Sequence, residues 1–233
     1  MVLQAESTQS DAARQAFKYL CTRYWRSIYA FVRYQGRSPH DAEDLAQGFL
    51  TKVLETHSIA RADPSKGRFR NLLLRMLKDY IVDEIRKKDA LKRGGGAGRF
   101  AHLPLGEAEE QYLAEPDPGL TPDEVFDRSW AASLMENAYQ RLEQEFEAGQ
   151  GSRFHLLKRF IAETASDSDC VEMAAKLEVT PKSASVAIYR LRARYRECLQ
   201  DEILATVSDT ELVKAELVDP FCNRLQVIFI ELP

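Results

Sequence analysis

The chain has 233 residues, 45% of them hydrophobic and 29% charged, enough for one large or two small cores beneath a soluble surface. It contains no run of about 18 apolar residues, so no membrane span is expected. Met1 to Asp11 lacks a basic run followed by an apolar one, so no secretory signal is expected and the protein is placed in the cytoplasm. The net charge of −4 speaks against nucleic-acid binding, but the charge is uneven. Lys66 to Arg93 holds ten Lys/Arg against four acids, Arg99 to Gln150 holds three Arg against twelve acids, and Thr180 to Arg196 holds five basic residues and no acid. Such runs are often only solvated faces, but two basic blocks flanking an acidic middle suggest two contact surfaces. Cys21, Cys170, Cys198 and Cys222 form no CxxC pair, and none stands at ligand spacing from His40, His57, His102 or His155. They read as buried or half-buried thiols, and no metal or cofactor is expected.

In chain order, Phe17, Leu20, Cys21, Tyr24, Ile28, Phe31 and Val32 recur at helical steps, and Gly36 ends that helix. Ser38-Pro39-His40-Asp41 is a helix start, with Ser at the N-cap and Pro at the first helical position; Leu45, Phe49, Val53 and Leu54 follow on one face. Asp63 to Gly67 is a turn-rich loop. A third helix carries Phe69, Leu72, Leu73, Met76 and Tyr80 and frays near Arg93. Residues 94–120, rich in Gly, Pro and acids, read as a flexible linker. Thr121-Pro122-Asp123-Glu124 is a second capped start with the pattern of a capping box. Further helices are expected over Val125 to Phe146, Phe154 to Ala162, Val171 to Val179, and from Thr180-Pro181 to about Leu204. Val227 to Ile230 is apolar and β-branched; a strand, a sticky tail and an irregular end all fit it. The fold class is all-α.

Three motifs carry functional information. Met173 to Lys182 reads as a helix-turn-helix: Ala174 is small where two helices would cross, and Thr180-Pro181 starts a second helix. The N-terminal half of that helix projects Lys182, Ser183, Ser185, Val186 and Tyr189, followed by Arg190, Arg192, Arg194 and Arg196, which suit phosphate contacts. The turn position, commonly Gly, is Glu178, where a left-handed backbone would cost about 1 kcal/mol. An ordinary helical hairpin is the plainer alternative.

The second motif is Asp41 to Leu50, DAEDLAQGFL, which brings Asp41, Asp44 and Gln47 to neighbouring positions on a helix. That face suits a basic partner protein, a metal, or simply the helix dipole. The third is Arg68-Phe69-Arg70-Asn71 with Lys78, Arg86, Lys87 and Lys88, a basic surface interleaved with aromatics of the kind that holds single-stranded DNA. Taken singly, Phe69, Tyr80, Tyr24 and Trp25 each fit core packing better.

The order DAEDLAQGFL, loop, FRNLLLRMLKDYIVDEIRKK, linker, helix-turn-helix and RLRARYR resembles the extracytoplasmic-function sigma factors of bacterial RNA polymerase over about Asp11 to Leu204. The DAEDLAQGF, GGG and LTPDEVFDRSW segments look like a subgroup common in planctomycetes. The resemblance implies region 2 over 11–93, an acidic linker over 94–120, region 4 over 121–205, and a tail over 206–233 with no assigned role. It implies that Asp41, Asp44, Leu45, Gln47 and Phe49 contact core polymerase. It implies that the loop residues Asp63, Ser65 and Lys66, with Arg68, Phe69, Arg70, Asn71, Lys78, Arg86 and Lys87, meet the −10 element. It assigns Lys182, Ser183, Ser185, Tyr189, Arg190, Arg192 and Arg194 to the −35 element. The resemblance implies no catalysis of its own, core polymerase and promoter DNA as partners, and room for regulation by an anti-sigma factor or a kinase. Two other functions compete. An operator-binding helix-turn-helix regulator explains only Met173 to Arg196, and a metal-dependent hydrolase built on Asp41, Glu43 and Asp44 lacks a nucleophile and a supporting His.

Overall fold

A computed structural model describes residues 21–56, 69–90, 105–114 and 119–204. Among these residues every regular element is helical, and the fold is all-α. Asp63, Ser65, Lys66, Arg68, Cys222 and the 206–233 tail lie outside the described residues. The chain divides into two compact units, Met1–Ser133 and Leu134–Pro233.

In the first unit, α1 covers residues 21–34 and is the most enclosed helix, with Tyr24, Trp25, Ile28, Tyr29, Phe31 and Val32 all buried. Gly36, at φ +81°, closes its end; its N–H donates to the Arg33 carbonyl at 2.9 Å. Ser38 then caps α2 (Pro39–Glu55) by accepting from the Asp41 N–H. The buried stripe Ala42, Leu45, Ala46, Phe49, Leu50 and Val53 faces inward. In α3 (Phe69–Ala90), Leu73, Leu74, Leu77, Tyr80 and Ile81 are buried. Gly48 of α2 permits a close approach to α3, because a Cβ there would collide with the Tyr80 hydroxyl.

Two further elements belong to this unit. A short helix, α4 (Leu105–Ala114), lies inside the stretch expected as linker. Ala108 is buried, and Glu109 takes hydrogen bonds from Arg33 Nε and Nη2 at 2.9 and 2.8 Å and from the Tyr29 hydroxyl at 2.5 Å. Helix α5 (Pro122–Leu157) opens with the anticipated capping box, Thr121 and Glu124 exchanging side-chain and backbone bonds. Its first turns bury Phe126, Trp130 and Ala131, and Phe126 meets Phe31 edge-on at 6.5 Å.

The division into units falls within α5, which is continuous over 36 residues. The expected break between Phe146 and Phe154 is absent. Gly149 and Gly151 each weaken a helix by roughly 1 kcal/mol, but Phe154 packs on Tyr139 and Phe146 at 5.6 and 5.5 Å between ring centroids, holding the helix across them. In the second unit, a 3-10 turn (Lys158–Ile161) leads to α6 (Asp167–Leu177) and α7 (Pro181–Leu204). Helix α6 begins four residues before its expected start because Ser166 and Asp169 form a capping box. Leu134, Ala138, Leu142, Phe154, Phe160, Met173, Ala184, Ile188, Leu191, Tyr195, Leu199 and Ile203 supply the buried apolar side chains of this unit.

Candidate protein and nucleic-acid interfaces

On α2 the charged residues lie opposite the buried stripe. Asp44 is exposed, and Asp41, Glu43 and Gln47 are half-buried. Asp41 also takes part in the cap, accepting from Ser38 Oγ at 2.7 Å. Gln47 donates to Glu43 at 3.0 Å, and His40 sits 3.3 Å from Asp44. Leu45 and Phe49 were expected on the contact surface, but they are 7% and 1% exposed and pack inside the unit. Their positions on the apolar stripe explain this, and they hold the helix that presents the acids. Among the described residues no cluster of three or more His, Cys, Asp or Glu suits a metal ion.

On α3, Asn71, Arg75, Lys78, Val82 and Arg86 follow one another along the exposed side at helical steps, with Lys87 beside them. Arg75 was not singled out from the sequence, although its spacing from Asn71 and Lys78 marks it as part of the same stripe. Lys78 pairs with Asp123 of α5 at 2.6 Å, and Lys87 with Glu84 at 2.8 Å. Phe69 is half-buried against Tyr24, ring to ring at 5.6 Å. Arg70 is a correction: expected to meet DNA, it is 3% exposed, lies over the Trp130 ring and pairs with Asp127. Its partners lie more than fifty residues away in sequence, so charge alone could not reveal them.

Helices α6 and α7 are joined by a tight turn. Glu178 adopts φ 55° and ψ 44°, the left-handed conformation that ends α6, and the Val179 N–H returns to the Ala174 carbonyl at 3.0 Å. Thr180 caps α7, accepting from the Ser183 N–H at 3.2 Å. Ala184, Ile188 and Leu191 face inward, leaving Lys182, Ser183, Ser185, Val186, Tyr189 and Arg190 exposed on the first turns. One expected phosphate contact is corrected, and another is paired within the chain. Arg192 is 6% exposed. Arg194 is held by both oxygens of Glu145 at 2.7 Å each and by Glu197 at 2.6 Å. Those carboxylates push the Arg194 guanidinium further above its ordinary range, and the same pair holds Glu145 below the usual carboxylate range. Burial raises the Cys21 thiol to about 11, so it stays protonated and unreactive at neutral pH.

Residues 20–91 match the family model for Sigma-70 region 2, which covers the α1, α2 and α3 segments and less than a third of the chain. No curated protein and no solved structure matches the chain. The match likens this segment to one region of the sigma-70 factors. That family consists of transcription initiation factors without enzymatic activity.

Proposed function

We propose that the chain is an extracytoplasmic-function sigma factor, of the type common in planctomycetes, which joins core RNA polymerase and directs it to promoter DNA. One observation carries the proposal: the segment that matches Sigma-70 region 2 also displays an acidic α2 face and a basic α3 face on one small unit. Asp44, with Asp41 and Gln47, meets basic residues of the polymerase. Asn71, Arg75, Lys78, Arg86 and Lys87 follow the −10 DNA. Release of Lys78 from Asp123 accompanies that contact, at little cost for an exposed pair.

The second unit, from Leu134 on, serves as the −35-binding part in place of the expected 121–205, because the first turns of α5 pack in the first unit, and α7 is the reading helix. No described helix is long and apolar enough to cross a membrane, and the protein works where its polymerase does, in the cytoplasm. Promoter opening needs no catalysis: extruding a base costs a few kcal/mol, which a basic groove and a shaped pocket offset. Regulation by an anti-sigma factor or a kinase fits the same assignment.

In vitro transcription with core polymerase and a library of promoter fragments tests the proposal. Transcripts should start at discrete sites only when the chain is present. Operator-like DNA binding independent of polymerase, with no transcripts, would favour a conventional regulator instead.

A further inference from the structure

The exposed side of α7 has an unusual order of chemistry. On its first turns Lys182 and Arg190 flank Val186 and Tyr189, which are 41% and 52% exposed and lie beside Ser185. Single exposed apolar residues need no explanation, but two neighbours between cations, on a stretch without an acid from Thr180 to Arg196, form a surface with a definite complement. We propose that Val186 and Tyr189 read thymine 5-methyl groups in the major groove of duplex promoter DNA, an inference that rests on the assignment of α7 to the −35 element.

The base edges support this choice. Guanine shows two acceptors in the major groove and adenine an acceptor beside a donor, whereas thymine is the base that presents an apolar group there. The exposed face of the first turns carries no Asn or Gln to take adenine in a bidentate pair. It does carry the two methyls of Val186 and the ring of Tyr189. With Arg192 buried and Arg194 held by Glu145 and Glu197, Lys182 and Arg190 are the exposed cations of the first turns, and the Ser183 hydroxyl is engaged with Thr180 at 2.9 Å.

The test uses the full chain with core polymerase. Duplexes randomised upstream of a fixed downstream segment are enriched by binding. The enriched sequence is then resynthesised with deoxyuridine replacing each upstream thymine in turn. At one or two positions, loss of the methyl should weaken binding about fourfold, the weight of one buried methyl group. Val186→Ala or Tyr189→Ala should abolish that discrimination at its own position and leave the salt dependence unchanged, because no phosphate contact is lost. Both sites are exposed and Ala favours helix, so the variants keep their fold, which circular dichroism verifies. Wild-type binding indifferent to uracil, or an undiminished uracil penalty in both variants, overturns the inference while leaving the promoter assignment intact. Weakened polymerase capture by Val186→Ala with unchanged base preference makes the face a protein contact and also overturns it. Failure of any duplex to enrich removes the promoter assignment itself, and this inference with it.

Discussion

The guanidinium of Arg70 lies 4.6 Å from the centroid of the Trp130 ring, and its Nε lies 3.4 Å from Asp127 Oδ1. This ties α3 to the first turns of α5, well beyond the segment that matches Sigma-70 region 2. The two partners differ in exposure, 3% for Arg70 against 18% for Asp127. Asp127→Ala removes a counter-charge from a deeply buried cation and should cost about 3 kcal/mol. Arg70→Met leaves a carboxylate that water can reach and keeps an apolar stem over Trp130, so it should cost less. Urea denaturation of the full chain measures both. Equal costs, or a larger one for Arg70→Met, would mean the cation is not the group that needs its partner.

At Gly48, packing and helix propensity oppose each other. Ala is better than Gly in a helix by about 1 kcal/mol, yet its Cβ would strike the Tyr80 hydroxyl. Tyr80 cannot easily move, being buried beside Phe49 at 5.7 Å with Lys52 Nζ 5.3 Å from its ring centroid. Gly48→Ala should therefore destabilise the protein by about 1–2 kcal/mol, and Gly48→Ala combined with Tyr80→Phe should recover most of that loss. A single variant more stable than the parent would show that α2 and α3 do not approach this closely.

The acid limb of stability should depend on Glu109. Its hydrogen bonds from Arg33 hold the carboxyl below the usual range against the opposing effect of burial, and Tyr29 adds to the effect. A lowered folded-state pKa stabilises the protein above the unfolded carboxylate value of about 4.3, and this contribution is lost as pH falls through the folded value. Glu109→Gln should lower Tm at neutral pH, and the gap from the parent should close below about pH 4. A gap independent of pH would mean that the charge contributes nothing. Tyr29 responds in the opposite sense, raised by burial and by the neighbouring carboxylate, so it stays neutral throughout this range.

Much of this architecture was legible in the sequence. Ser38-Pro39, Thr121-Pro122-Glu124 and Thr180-Pro181 each begin a helix as their cap chemistry requires, since capping is local. What was hidden depends on distant partners. Helix α4 carries Leu105, Ala108, Tyr112 and Leu113 at helical steps, but it is only ten residues long and set among Gly, Pro and acids, so it reads as linker, and Glu109, which secures it, has its partners far away in sequence. Arg70 and Arg194 look like phosphate ligands until Asp127, Trp130 and Glu145 come beside them in the fold. Leu45 and Phe49 were placed at an interface although their own periodicity assigns them to the core. Glu178 shows a limit of the other kind: the turn it must make was readable, at a backbone cost of about 1 kcal/mol, but not what compensates for it.

The α2 face provides a test of the polymerase contact that spares the fold. Asp41 is part of the Ser38 cap, so changing it confounds stability with binding. Asp44 is exposed and outside the cap, and Gln47 lies one turn further on. Asp44→Lys with Gln47→Ala should weaken core-polymerase binding at least tenfold, about 1.4 kcal/mol, while the helical circular dichroism signal stays unchanged. Full binding by this folded variant would remove α2 from the interface.

Opening of promoter DNA by this chain should require core polymerase. Permanganate reactivity of unpaired thymines measures that directly on a promoter fragment selected with the chain and core enzyme. The chain and core polymerase together should expose a short run of reactive thymines near the −10 element, while neither alone should expose any. Replacing exposed Arg75 and Arg86 with Ala should reduce that reactivity more than it reduces binding to core polymerase. Protection of duplex DNA by the chain alone, with no reactive thymines when polymerase is added, would contradict the account.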